Sequence, residues 1–181
     1  MRELLLEACA FNWASISPAI FGSLFQAVKS AEARRELGEH YTTETNILKT
    51  IEPLFLDELR QQYRDGVHEV RKLKALREHL GQLRFLDPAC GCGNFLVVAY
   101  RELRRLDLEI LKRLQDLGDT SQIPMLYFTK DDLPVRLEHF TGIEIEEWPA
   151  RIAATALHLA DHQANQELEL SLGKAPDPLP P

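Results

Sequence analysis

Residues 84–95 read Arg-Phe-Leu-Asp-Pro-Ala-Cys-Gly-Cys-Gly-Asn-Phe, and this dozen decides the fold. Arg84 to Ala89 is a short apolar run closed by Asp-Pro, the pattern of a strand and its end. Cys90-Gly91-Cys92-Gly93 reads as a tight turn, because glycine takes up left-handed backbone freely. Beyond it Phe95, Leu96, Leu103, Leu106, Ile110, Leu114 and Leu117 recur on one stripe of a long helix. A strand that turns through glycines into a helix exposes several backbone N–H groups at one point, which is a place to hold a ligand.

Working outward, Gly118 to about Pro134 reads as a loop, with Met125-Leu-Tyr-Phe128 as an apolar plug within it. His139-Phe-Thr-Gly-Ile-Glu-Ile145 is a second strand, and residues 147–165 are a second amphipathic helix. Upstream, Thr43 is the N-cap of a helix carrying Ile47, Leu48, Ile51, Leu54, Phe55 and Leu59, with a kink expected at Pro53. A charged helix is expected from Val67 to Leu80, ending at Gly81. An earlier helix carries Ile16, Ile20, Leu24 and Val28 behind a Ser17-Pro18 start, and residues 34–43 form the loop that follows it.

The order strand, glycine loop, helix, strand, helix is the beginning of a doubly wound α/β sheet. Two strands alone leave both faces and both edges of a parallel sheet in need of cover. The expected fold class is therefore α/β: an N-terminal helical segment leading into the first part of a Rossmann-like sheet, in a piece of a longer protein. The division expected is a helical segment over 1–82, a partial Rossmann-like unit over 83–170, and an extended proline-rich tail over 171–181.

The chain has 181 residues, 45% apolar and 27% charged, with a net charge of −7. Residues 1–83 carry 11 Lys+Arg against 12 Asp+Glu, and residues 84–181 carry 10 against 16. No broad basic footprint of the kind duplex DNA demands is present. No apolar run reaches the length of a membrane span, and the N-terminus lacks the pattern of a signal peptide. Three cysteines make no disulfide framework and point to a reducing, cytoplasmic setting. Cys-x-Cys is not a zinc spacing. His158 and His162, one helical turn apart, have no third ligand in a recognisable place, so no metal is expected. Arg34-Arg35 and Arg104-Arg105 read as solvated charge.

Three ligand classes compete for the glycine loop. A P-loop needs a Lys-Ser/Thr pair that is absent, and a dinucleotide fingerprint needs a third glycine. Asp87, just before the loop, sits badly beside a pyrophosphate and suits a cationic group such as an ammonium or a sulfonium.

The string Phe-Leu-Asp-Pro-Ala-Cys-Gly-Cys-Gly-Asn-Phe-Leu (85–96) resembles motif I of class I S-adenosylmethionine-dependent methyltransferases, in the form found in N6-adenine DNA methyltransferases. Gly-Glu-His-Tyr-Thr-Thr (38–43) resembles their motif X, with Thr43 where proline is usual. Gly-Ile-Glu-Ile-Glu-Glu-Trp (142–148) resembles motif II, and residues 156–163 the helix after it. The flanking helices, Ser17 to Gln26 and Asn46 to Leu59, resemble the methyltransferase region of large type IIG/IIL (MmeI-like) restriction–modification proteins of bacteria and archaea.

The resemblance implies S-adenosyl-L-methionine as cofactor. Its site would comprise Tyr41, Thr42, Asp87, Pro88, Ala89, Cys90, Gly91, Gly93, Phe95, Glu144 and Ile145. Thr42 and nearby backbone would serve the methionine carboxylate, and Asp87 and the loop carbonyls its ammonium. Glu144 would take the ribose hydroxyls, with Glu146 a second candidate, and Ile145 would cover the adenine. Glu144 lies 51 residues after Gly93, against the usual interval of about 20, an excess that the long helix and its loop absorb. The acceptor tetrapeptide of motif IV, Asn-Pro-Pro-aromatic, does not occur in the sequence. The expectation is the cofactor half of a site-specific adenine methyltransferase, catalytically silent alone, whose contacts to double-stranded DNA lie elsewhere. Two alternatives remain: a methyltransferase of another substrate, and a helical interaction module with a vestigial glycine loop.

Overall fold

The computed structural model describes residues 2, 3, 6, 20, 42–124 and 128–173. Nearly all of the first expected helix, the loop through Tyr41 and the chain from 174 lie outside the described residues.

Helix α1 spans Glu44–Ile51. Thr43 begins it as expected, in extended backbone, with its hydroxyl accepting from the Asn46 N–H. A cap of this kind satisfies one of the donors that a helix start leaves without a partner. At Pro53 the expected kink takes the form of a π-helical segment, Glu52–Leu56, before helix α2, Asp57–Gly66. Proline brings no N–H, and the wider turn accommodates the missing rung.

Helix α3 spans Val70–Gln82, so Gly81 lies inside it rather than ending it. A side-chain carbon at Gly81 would stand 3.4 Å from Pro134. That is ordinary contact distance, so Gly81 packs beside Pro134 and does not cap the helix.

Strand β1 is Phe85–Asp87, helix α4 is Asn94–Asp116, strand β2 is Phe140–Gly142 and helix α5 is Glu147–Leu172. Both strands are shorter than the sequence suggested. Helix α5 runs to Leu172, beyond the expected end near residue 165 and past the expected boundary of the tail at 171. Helix α4 stops at Gly118, whose φ of 81° lets Asp119 N–H donate back to the Leu114 carbonyl at 2.9 Å.

The strands pair in parallel, Phe85 with Phe140, Leu86 with Thr141 and Asp87 with Gly142. The described residues thus form a mostly helical α/β arrangement on a two-stranded sheet. Pleating puts Phe85 and Phe140 on one face, where their rings stack at 4.9 Å and are flanked by Phe55 and Tyr100. Leu86 and Ile143 are exposed.

Helix α4 is the mast of the molecule. Val97, Val98, Tyr100, Leu103, Ile110, Leu111 and Leu114 are all buried along it, each apolar side chain contributing roughly 1.5–3 kcal/mol by leaving water. Ile47 and Ile51 of α1, Leu73 and Leu80 of α3, and Ala156 and Ala160 of α5 complete the main core. A second cluster joins Leu108, Leu111, Phe128, Leu133 and Leu168. Phe128 is thus the apolar plug expected of its loop; residues 125–127 lie outside the described residues.

Two buried arginines lock the helices. Arg77 donates to Asp107 at 2.7 Å, to Gln122 at 2.8 Å and to the Asp132 carbonyl at 2.6 Å. Arg104 donates to the Tyr100 hydroxyl, to Asp161 at 2.9 Å and to Asn165 at 2.7 Å. Arg104 is 5% exposed, which overturns its reading as solvated charge. Arg105, paired with Glu102 at 3.2 Å, is exposed as expected, and Arg34 and Arg35 lie outside the described residues. Burial above all holds the Tyr100 hydroxyl protonated, far above its ordinary range. No helix among the described residues is long and apolar enough to cross a membrane.

Candidate functional site

The parallel pairing does not stop where the strands do. Past Gly142 the Ile143 N–H donates to the Asp87 carbonyl at 2.9 Å, and the Cys90 N–H donates to the Ile143 carbonyl at 3.0 Å. The glycine loop is therefore stitched to the segment after β2. Within it the Gly93 N–H donates to the Cys90 carbonyl at 2.8 Å, and the Asp87 carboxylate accepts from the Ala89 N–H at 3.1 Å.

Glu144 turns inward to this loop. Its Oε2 accepts from the Gly91 N–H and its Oε1 from the Glu146 N–H, both at 2.9 Å. The flanking Ile143 and Ile145 are exposed, Ile145 at 93%. Glu144 and the exposed Ile145 stand beyond the paired strand, as expected of residues at its end. Trp148, at the start of α5, is exposed beside them.

The two loop glycines do different work. Gly91 has φ of 54°, and a side-chain carbon there would meet nothing within 4 Å. Gly93 has φ of 78°, but a side-chain carbon there would stand 2.8 Å from the Cβ of Ala153. Close approach at Gly93 is made by helix α5, so only Gly91 leaves its side open to a ligand. Gly142 is a third such position: a side-chain carbon would lie 2.6 Å from the Cys90 sulfur. Cys90 thus fills the seam between loop and strand. Burial first, then the Asp87 and Glu144 carboxylates, pushes its thiol above its ordinary range.

Helix α4 starts at this loop with no side chain capping it. Its first N–H groups have no intrahelical acceptors, and its dipole favours an anion there. The buried Oδ1 of Asn94, the first helical residue, has no hydrogen-bond partner. Sequence reasoning passed over Asn94, although it stands within the decisive string.

Ala89 bonds directly to Asp87 and Gly91 to Glu144, and Ile143 links Asp87 to Cys90 through its N–H and carbonyl. Pro88 is exposed beside them, and Phe95 turns into the main core. Thr42 is half-buried two residues before Glu44, which pairs with Arg101 of α4 at 2.5 Å. Tyr41 lies outside the described residues. His158 and His162 are exposed on α5, and no cluster of His, Cys, Asp or Glu among the described residues has the makings of a metal site.

A family profile for the MmeI DNA-methyltransferase domain matches residues 63–181. The chain belongs to the MmeI DNA-methyltransferase domain family. DNA methyltransferase A of Bacillus subtilis (strain 168) is 44% identical to it over 182 residues, covering 99% of the chain and 20% of that relative. The putative type II restriction enzyme and methyltransferase RM.MjaORFECS2P of Methanocaldococcus jannaschii is 26% identical over 172 residues, covering 80% of the chain and 14% of the relative. Among solved structures, the type IIL restriction–modification enzyme MmeI in complex with DNA superposes with a TM-score of 0.84 at 49% identity, covering 96% of the chain and 23% of that structure's chain. The chain therefore spans less than a quarter of each of these proteins. The likeness to MmeI includes the helices before the sheet as well as the strand–loop–helix–strand–helix unit. The chain corresponds to part of the methyltransferase region of MmeI-like restriction–modification proteins.

Proposed function

We propose that this chain is the cofactor-holding part of a DNA adenine methyltransferase and that its ligand is S-adenosyl-L-methionine. The observation that carries the reading is the meeting of the Glu144 carboxylate with the Gly91 N–H at an open glycine turn, with Asp87 alongside.

The residues fit such a group. Vicinal ribose hydroxyls need an acceptor at the end of the second strand, and Glu144 stands there with lone pairs to spare. The methionine ammonium needs an anion, and Asp87 has committed one oxygen to Ala89. The methionine carboxylate needs donors, which the uncapped start of α4 and the Thr42 hydroxyl provide. Pro88, Ala89, Cys90 and Gly91 form the turn over which the ligand lies, Gly93 seats that turn against α5, and Phe95 anchors it to the core. Exposed Ile145 is free to cover an adenine face, and Tyr41 is assigned to the adenosine by the motif it belongs to. S-adenosylmethionine supplies an electrophilic methyl group on a sulfonium. This chain's residues bind and orient it; none of them accepts the methyl group or a proton from the base.

Adenine as the target base follows from the form of motif I. With no Asn-Pro-Pro-aromatic tetrapeptide among its 181 residues, the chain alone is silent in this reading. Base and DNA contacts fall to other parts of the protein, consistent with its acidic balance. The test is thermal unfolding with S-adenosylmethionine, NAD or ATP added. The reading expects the midpoint to rise with the first alone; a rise with NAD or ATP instead would overturn it. N6-methyladenine, rather than a methylated cytosine, is the product expected from a longer chain that carries the acceptor tetrapeptide.

A further inference from the structure

Glu144 has a second task that the cofactor reading does not require. The backbone rungs between loop and strand end at Cys90, whose N–H reaches the Ile143 carbonyl. One residue further along each segment, the next rung is made by a side chain: the Gly91 N–H meets Glu144 Oε2. The other carboxylate oxygen takes the N–H of Glu146, the residue before helix α5. One carboxylate therefore ties the left-handed turn at Gly91 to the entry of α5. Gly91 touches nothing on its open side, so past the Cys90 rung this bond ties the turn to the segment after β2.

We propose that Glu144 is a positioning residue for the glycine loop, fixing it in its ligand-ready form before any ligand arrives. This deepens the cofactor reading and rests on it only for the identity of the ligand. An ionised carboxylate offers about four lone-pair sites. Two are taken by backbone N–H groups, and two remain for a pair of vicinal hydroxyls. Ligand contact therefore adds to the latch instead of displacing it, and the ordering of the loop is already complete when the ribose enters. Glutamine at 144 has nearly the same shape but can accept at one end only; its amide group would face an N–H donor at the other.

The experiment is amide hydrogen exchange on the whole unliganded chain, wild type against Glu144→Gln, with Glu144→Asp as a shortened carboxylate. The latch predicts at least tenfold faster exchange at Gly91 and Glu146 in Glu144→Gln and unchanged protection at Leu103 and Ile110 in α4. It predicts that Glu144→Asp, too short to hold both amides at once, loses protection at one of the two. Equal exchange of Gly91 and Glu146 in wild type and Glu144→Gln overturns it. S-adenosylmethionine titrated into the same samples separates the two readings. Faster exchange in the variant, with no binding even by wild type, leaves the latch standing and removes the cofactor. Binding lost in Glu144→Gln with loop exchange unchanged removes the latch and keeps the cofactor.

Discussion

Helix α4 carries one polar cluster at its start and another along its middle, and they are built on opposite terms. In the seam between α4 and α5, Arg104, Tyr100, Asp161 and Asn165 spend their hydrogen bonds on each other, and Arg104 and Asn165 are buried. At the glycine loop, Asp87 and Glu144 bond only to nearby backbone N–H groups and keep acceptor capacity facing outward. A cluster that closes on itself holds a fold together; one that keeps lone pairs in reserve is equipped to hold something else. Breaking the first should cost stability, and breaking the second should cost binding.

The largest effect is expected from the closed clusters. Removing one partner of a buried ion pair leaves the other charge unmatched and costs about 3–5 kcal/mol. Asp107→Ala, which strands Arg77, and Asp161→Ala, which strands Arg104, should lower stability by up to that order in urea unfolding, with the slope of the transition unchanged. A loss below about 1 kcal/mol, the range of a surface pair, would place these arginines among ordinary surface charges.

The next contrast lies between the two loop glycines. Alanine at either position bears a left-handed backbone penalty of about 1–2 kcal/mol. Gly93→Ala must also displace Ala153, and overpacking adds roughly 1–3 kcal/mol. Gly93→Ala should therefore be clearly the less stable variant, while Gly91→Ala should lose ligand affinity out of proportion to its stability. Equal destabilisation would show that the packing at Ala153 carries no weight.

The smallest effect concerns His139, buried just before β2. Burial first, then the positive charges of Arg84 and Arg136, holds its pKa below the ordinary histidine value, with Glu138 opposing. The folded state then binds fewer protons than the unfolded chain, so stability falls as the pH drops below about 6.5 towards the folded pKa and is level above it. His139→Gln should flatten that slope; an unchanged slope would assign it to another group.

The decisive string 84–95 was legible because a strand, a glycine turn and a helical stripe each leave a local pattern. Thr43 as a cap was legible for the same reason, whereas Glu144 was singled out by the resemblance of residues 142–148. Arg104 was not. A lone arginine reads alike in water or in a core, and its partners Asp161 and Asn165 lie 57 and 61 residues away. Gly93 carries the mark of a turn residue and has the left-handed backbone of one, yet no local pattern shows that the distant Ala153 also crowds it. The shortness of the strands was hidden because apolar alternation continues through Ile143 and Ile145, which are exposed. The family is read from the motifs, and the profile match over residues 63–181 contains two of the three strings, 85–96 and 142–148, but not 38–43.

Calorimetric titration of S-adenosylmethionine into wild type, Asp87→Ala and Glu144→Ala tests the central claim most directly. The open cluster predicts saturable binding by wild type, weakened at least tenfold by either change, about 1.4 kcal/mol, with a loss of urea stability smaller than the about 3–5 kcal/mol of the closed clusters. Wild-type binding that neither substitution disturbs would contradict it.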